Sequence, residues 1–336
     1  MRKNVSRLVM CALFLALSDP AQAQQAKSIR LIGYISRDLH PADSRATSDT
    51  RLAALREGLR QLGFVEGKNI IIEYRYADER LERLAALAEE LVRLKVDMIV
   101  ADSTATARAA RKVTTTIPIV FLSGSDPTIS SGVASLARPG GNITGFTNFA
   151  GELRGKRLEL LKEVLPKVSR FALLEGSGGT VSRERNVADT QVAAQALGVK
   201  LQVIEVKEDH PDFDGAFRMI AKERIGAIVV GTGSIINLTL SRRKILGLAE
   251  QARIPAIYGT EDFIEDGGLI YYGANSRDLA HRGATYVDKI LKGEQPGDLP
   301  IQRPMKFDFV ISLIAADKIG LKIPPNVLVR ATRVIR

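Results

Sequence analysis

The sequence predicts an α/β protein built as two doubly wound parallel-sheet lobes joined by a multi-strand hinge, and three observations predict it. The first is a repeat. Asp97-Met-Ile-Val-Ala-Asp-Ser-Thr104, a helical run and Ile117-Pro118-Ile-Val-Phe-Leu-Ser-Gly-Ser-Asp126, with Gly132 beyond, form one copy. Gly226-Ala-Ile-Val-Val-Gly-Thr-Gly-Ser234, a helical run and Ile254-Pro255-Ala-Ile-Tyr-Gly-Thr-Glu-Asp262, with Gly268 beyond, form the other. Asp126 and Asp262 lie about 136 residues apart, a period that suits two lobes and not a solenoid. The second observation is the alternation of apolar strands with amphipathic helices, the mark of parallel pairing through right-handed crossovers. The third is Arg138-Pro-Gly-Gly-Asn-Ile-Thr-Gly145, a turn-rich segment that reads as the crossing between the halves.

In order, Ile29–Ser36 reads as a buried strand, and Thr50–Leu62 as a helix with Leu52, Leu55, Leu59 and Leu62 on one face, stopped by Gly63. Asn69–Tyr76 is a second strand, and Glu79–Leu94 a helix with leucines at 81, 84, 87, 91 and 94. The first repeat copy completes this half. The pattern restarts with a strand at Arg170–Leu174, a helix near Arg185–Leu197 ended by Gly198, a strand at Lys200–Val206 and a helix near Phe213–Arg224. The second copy follows, so the duplication spans whole half-proteins. A helix from about Asp278 to Leu291, a strand at Met305–Ile311 and a short helix at Leu313–Ile319 fit neither half alone. They are expected to serve both. The lobes so defined are 28–147 plus 273–303, and 148–272 plus 304–336.

The N-terminus, 1–23, reads as a secretion signal. Arg2, Lys3 and Arg7 precede an apolar run, Leu8–Leu17, and Ala21-Gln-Ala23 offers small residues for cleavage. The run is too short to span a bilayer, so an exported, periplasmic chain is expected. Cys11 is the only cysteine and lies in this signal behind Met10, a poor fit to a lipoprotein signal. The mature chain then has no thiol chemistry. The formal charge is +10 from 48 basic and 38 acidic residues. These mix along helices, as in Arg80-Leu-Glu-Arg83, and aromatics are 5%, so the balance describes a solvated surface and no nucleic-acid partner is expected.

Catalytic patterns are missing. His40, His210 and His281 stand alone, none at metal-ligand spacing. There is no G-x-S-x-G nucleophile elbow and no Walker lysine motif, and Gly231-Thr-Gly233 lacks the third glycine of a dinucleotide loop. No cofactor, metal or enzymatic activity is expected. What remains is polar loops at the carboxyl ends of strands, where open parallel sheets bind ligands. In the first half these are Ser36 and Arg37, Ser103 and Thr104, and Ser123, Ser125 and Asp126. In the second they are Ser177, Thr232, Ser234, Tyr258, Thr260 and Glu261. Ser103 or Thr104 also reads as a helix N-cap, and Asp126 before Pro127 reads as one more strongly. Facing lobes would bring these donors and carboxylates to one cleft fit for a small zwitterion, with Arg37 able to fork onto a carboxylate.

The chain resembles the solute-binding proteins of bacterial ABC transporters, in the group with a type I periplasmic-binding fold that includes tryptophan- and tyrosine-type binders. The resemblance rests on Gly63-Phe-Val-Glu-Gly-Lys-Asn-Ile70, Thr115–Phe121, Asp126-Pro127 and Val133–Gly145, and on Gly155-Lys-Arg-Leu-Glu-Leu-Leu161, Gly267-Gly-Leu269 and Asp288–Gly293. It implies capture of a small carboxylate-bearing ligand, an amino acid or an aromatic or organic acid, between the lobes of a monomer. It also implies delivery to ABC permease subunits with their ATPase. Glu175-Gly-Ser-Gly-Gly179 and Gly231-Thr-Gly-Ser-Ile235 depart from the family pattern, as does Ser312, which places ligand selection in the second lobe. A ligand-sensing module for a receptor, or an exported α/β enzyme, are the alternatives.

Overall fold

The computed structural model describes residues 29–42, 50–124, 133–149, 153–177, 181–233 and 235–336. The signal segment lies outside them. The first sheet is wholly parallel, with β1 (Arg30–Ser36), β2 (Ile70–Tyr76), β3 (Met98–Ala101), β4 (Ile119–Gly124) and β5 (Ile143–Thr147) in the order β2-β1-β3-β4-β5. The second contains β6 (Arg170–Gly176), β7 (Lys200–Val206), β8 (Ala227–Val230), β9 (Ala256–Tyr258), β10 (Ile270–Ala274), β11 (Phe307–Ser312) and β12 (Arg333–Ile335). Its order is β12-β11-β10-β9-β8-β6-β7, with only β10 and β11 antiparallel. In each sheet the strand order reverses beside the first strand, which leaves a crevice at the carboxyl ends where open α/β sheets take ligands.

The repeat is visible in the hydrogen bonds. The Pro118 carbonyl accepts from the Ile99 amide at 2.8 Å, and the Pro255 carbonyl accepts from the Ile228 amide at 2.9 Å. Each proline enters its strand where no amide of its own is called upon.

Helices cover both faces of both sheets: α1 (Thr50–Gln61), α2 (Leu84–Arg93), α3 (Thr104–Val113), α4 (Arg154–Val164), α5 (Val181–Ala196), α6 (Phe213–Lys222), α7 (Thr239–Gln251), α8 (Asp262–Glu265), α9 (Ser276–Leu291), α10 (Leu313–Lys318) and α11 (Pro325–Leu328). Successive strand residues feed opposite cores: Ile32 and Tyr34 pack with α1 and α9, and Ile35 packs with α2 and α3. Leu52, Leu55 and Leu59 of α1 are buried as their spacing requires, each contributing about 1.5–3 kcal/mol. Gly58 lets α1 lie close on α9: a Cβ there would sit 2.6 Å from the His281 carbonyl oxygen and 2.8 Å from the Ala284 Cβ.

Thus α9, which follows a strand of the second sheet, packs on the first lobe, and β11 returns to the second sheet. The chain crosses between lobes three times: after β5, at Asn275 before α9, and after the Phe146–Gln302 bridge. The helix expected from Glu79 begins later. Asp78 and Glu79 have φ of 52° and 63°, a short 3₁₀ turn spans Leu81–Arg83, and α2 starts at Leu84.

Candidate functional site

Strand ends place the predicted residues, and their hydrogen bonds divide them into two groups. In the first lobe the loop after β1 is tied down by Asp102. The Ser36 hydroxyl donates to Asp102 Oδ2 at 2.8 Å, the Arg37 amide donates to the same oxygen at 3.3 Å, and the Thr106 hydroxyl donates to Asp102 Oδ1 at 2.7 Å. Ser36 is fully buried. Its hydroxyl, expected to meet a ligand, here holds the loop. Ser103 caps α3 in a capping box with Thr106, the plainer of its two readings. Thr104, at the first helical position, stays half-buried.

Arg37 is buried, with its Nε unpartnered by any hydrogen bond and 3.6 Å from Asp38 Oδ1. Ser123 is half-buried, and its hydroxyl oxygen accepts from Asn148 Nδ2 at 2.8 Å. Ser125, Asp126 and Ser234 lie outside the described residues.

In the second lobe Tyr258 turns away from the cleft. Its ring is 2% exposed, packs among Phe213, Ile228, Ile245 and Ala256, and stacks on Phe263 with centroids 4.4 Å apart. Strand parity sends it into the core, and that burial pushes its phenol up. Glu261 is also committed: Oε2 accepts from the Ser276 hydroxyl at 2.9 Å, and Oε1 lies 3.5 Å from Arg333 Nη2. It joins the strand-end loop to a lobe crossing and to β12, where an ammonium partner had been expected.

Thr260 and Thr232 meet through Asn237. The Thr260 hydroxyl donates to Asn237 Oδ1 at 3.1 Å, and Asn237 Nδ2 donates to the Thr232 carbonyl at 3.0 Å. Ser177 stands at the end of β6, half-buried, its amide donating to the Val206 carbonyl at 2.8 Å.

The lobes touch around these loops. Ser123 of the first lobe, with Asn148 and Ser276 at two of the crossings, faces Gly259–Asp262 and Tyr271 of the second around a cavity of about 30 Å³, room for water and not for a solute. Three predicted residues, Ser123, Thr260 and Glu261, are brought together there, on the hinge side. Arg51, absent from the sequence-based set, lies 2.7 Å from Asp38 in its own lobe and 3.9 Å from Asp262 in the other. Burial raises the Asp38 carboxyl to about 6, with Arg51 and Arg37 pulling it back and Asp102 and Asp262 adding to the rise. Burial also works against the Asp262 anion, but Arg51, Arg242 and Arg37 outweigh it and hold that carboxyl below its ordinary range.

Beneath the second-lobe loops lie two arginines of α4. Arg157 is fully buried and donates from Nε to the Tyr272 carbonyl at 2.8 Å and from Nη2 to the Gly259 carbonyl at 3.4 Å. Burial and then neighbouring Arg154 lower it to about 10. Gly259 is required there, since a Cβ would sit 2.4 Å from Thr232 Cγ2 and 3.2 Å from Arg157 Cζ. Arg154 pairs with Glu175 at 2.7 Å, both side chains at most 5% exposed, while Arg154 Nε and Nη1 make no hydrogen bond. Among the described residues no group of three or more His, Cys, Asp or Glu could hold a metal ion. No helix among them is long and apolar enough to cross a membrane.

Two facing lobes with polar strand-end loops are the geometry of a clamp, and comparison with known proteins decides its family. Residues 43–335 match the model of the ABC transporter substrate binding protein family. The chain belongs to that family. The substrate-binding protein is similar to a tyrosine-binding protein of Clostridioides difficile, 26% identical over 296 residues, 88% of this chain and 82% of the relative. Among solved structures it is similar to a conserved domain protein from Vibrio cholerae, with a TM-score of 0.80, 28% identity, and coverage of 91% of this chain and 100% of that one. It also matches an ABC domain in complex with L-Trp from Streptococcus pneumonia, with a TM-score of 0.78, 23% identity and coverage of 92% and 100%. The ligand-free, open structure of a Clostridium difficile substrate-binding protein with adhesive properties matches with a TM-score of 0.68, 25% identity and coverage of 92% and 99%. The two-lobed parallel-sheet fold is that of type I periplasmic binding proteins. The family is extracytoplasmic and non-enzymatic, so this substrate-binding protein captures a small molecule without turning it over.

Proposed function

We propose that the protein is the periplasmic component of an ABC importer that closes on a free amino acid, with an aromatic side chain as first choice, and hands it to the permease and its ATPase. The observation that carries this is the family match over residues 43–335, joined to lobes that meet through charged and hydroxyl-bearing loops. The names of the tyrosine-binding relative and the L-Trp complex support the ligand class. A zwitterion suits mixed charge: Arg37, whose Nε makes no hydrogen bond and lies 3.6 Å from Asp38, for its carboxylate, and Asp262, held below its ordinary range, for its ammonium.

Of the predicted residues, Arg37, Thr104, Ser123, Ser177, Thr232 and Thr260 remain the ligand-facing set, together with Ser125, Asp126 and Ser234. The moving bodies are 28–147 plus 273–303 and 148–272 plus 304–336, in a monomer exported by residues 1–23. Closure is driven by contacts that only the closed state makes.

Mass spectrometry of the molecule carried through gentle purification, followed by calorimetric titration of L-tyrosine and L-tryptophan, tests the reading. A bound amino acid that displaces and re-binds with saturation supports it. A non-zwitterionic ligand such as a sugar, with no heat from either amino acid, overturns it.

A further inference from the structure

Helix α7 begins without a cap from its own lobe. Leu238 occupies the N-cap position and its side chain accepts no hydrogen bond, although Thr239 and Leu240 present free first-turn amides. The acceptor comes from the other lobe. Glu79, in the loop after β2, takes the Thr239 amide on Oε1 and the Leu240 amide on Oε2, the latter at 3.3 Å. A carboxylate at the N-terminus of a 13-residue helix meets both the unpaired donors and the positive end of the helix dipole.

The loop that presents Glu79 is built for that reach and is wired to the candidate ligand loop. Asp78 and Glu79 are consecutive non-glycine residues with φ of 52° and 63°, a costly pairing that persists only where surrounding contacts enforce it. They are enforced by the loop after β1. The Ala77 amide donates to the Ser36 carbonyl at 2.9 Å, Asp78 to Asp38 at 3.2 Å and Glu79 to Arg37 at 3.0 Å. Arg83 holds the Asp78 carboxylate at 2.7 Å. These bonds tie the Glu79 backbone to residues 36–38, the loop that carries Arg37.

We propose that Glu79 is a positioning residue for substrate capture: it caps α7 across the cleft and supplies hydrogen bonds that exist only when the lobes are closed. The open protein leaves the α7 terminus to water, so the cap biases the equilibrium without touching the ligand. The inference rests on the clamp reading of the function, and its test separates the two.

In the full chain, with Cys11 replaced by serine, spin labels at Leu62→Cys and Val192→Cys, both exposed and on opposite lobes, report lobe separation. The variants are Glu79→Ala, Thr239→Pro and the double. Proline suits the first helical position, and Leu238 before it is already extended with ψ of 145°; the change removes the amide donor together with the hydroxyl that accepts from Arg242 Nη2 at 3.4 Å. Each single variant is expected to lower the closed fraction and to weaken L-tyrosine or L-tryptophan binding about tenfold, chiefly through faster release. Thr239→Pro should cost less in the Glu79→Ala background than alone, because the Thr239 amide is one of the two donors that Glu79 engages. Glu79→Gln, which keeps an acceptor and loses the charge, should fall between.

Unchanged affinity and lobe separation in the singles, or additive losses in the double, overturn the latch. If neither amino acid binds the unaltered protein, the ligand class falls and the distances alone decide: identical distributions in all variants overturn the latch, and a closed population lost with Glu79 upholds it.

Discussion

Arg51 and Asp262 come from opposite lobes and approach to 3.9 Å, while the same guanidinium lies 2.7 Å from Asp38 in its own lobe. One cation thus serves two carboxylates, and one of these contacts exists only when the lobes are together. Arg51→Gln is expected to weaken ligand binding about tenfold, within the range for a partly buried charged contact, and to leave the unfolding midpoint of the ligand-free protein within a few degrees. Calorimetry and thermal unfolding check the two halves of that statement.

On the clamp reading, Asp38 is expected to make closure pH-dependent. Its carboxyl is raised to about 6 by burial where the lobes meet, and opening is expected to return it toward its ordinary 3.8 as Asp262 moves away and water enters. The closed form therefore binds a proton more tightly. Its advantage is full below the ordinary value and is lost as pH rises through about 6. Affinity should rise as pH falls from 7.5 to 5, a range in which a zwitterionic amino acid does not titrate. Asp38→Asn should flatten the profile. Titrations across that range read it directly.

Arg154 and Glu175 form a buried pair at 2.7 Å. Removing one partner strands the other charge, so Arg154→Met should cost roughly 3–5 kcal/mol in urea unfolding. Arg154→Met with Glu175→Leu should recover most of that loss, since two apolar chains of similar size replace the pair.

Tyr258→Phe should leave ligand affinity unchanged, because the ring lies in the core against Phe263 and not in the cleft. Tyr258→Ala should instead cost about 3–5 kcal/mol of stability. A loss of affinity in the phenylalanine variant, measured by titration, would return this residue to the binding set.

The fold was legible because its signals are local and periodic. The strand at Lys200–Val206 and the helix onset at Thr50 stand where alternation and leucine spacing put them, and the two Ile-Pro strands occupy equivalent places in the two sheets. The helix start at Glu79 was missed because its backbone obeys a tertiary demand. Asp78 and Glu79 are held left-handed by the loop at residues 36–38, and no propensity reports that.

Strand ends were legible as places, but not which hydroxyls are free there. Ser36 answers to Asp102, more than sixty positions away (|i−j| = 66), and Tyr258 follows the parity of its strand inward. Arg51 and Glu79 escaped for the same reason: their partners are distant along the chain, Glu79 and Thr239 by 160 positions. Arg157 was visible only within Gly155–Leu161, a run whose role is to clamp the Tyr272 and Gly259 carbonyls from below.

The central claim is that a small amino acid draws two lobes together, and small-angle scattering during a titration with L-tyrosine or L-tryptophan tests it most directly. The account predicts a radius of gyration that falls saturably at one equivalent of ligand. An unchanged radius at saturating, calorimetrically verified binding would contradict it.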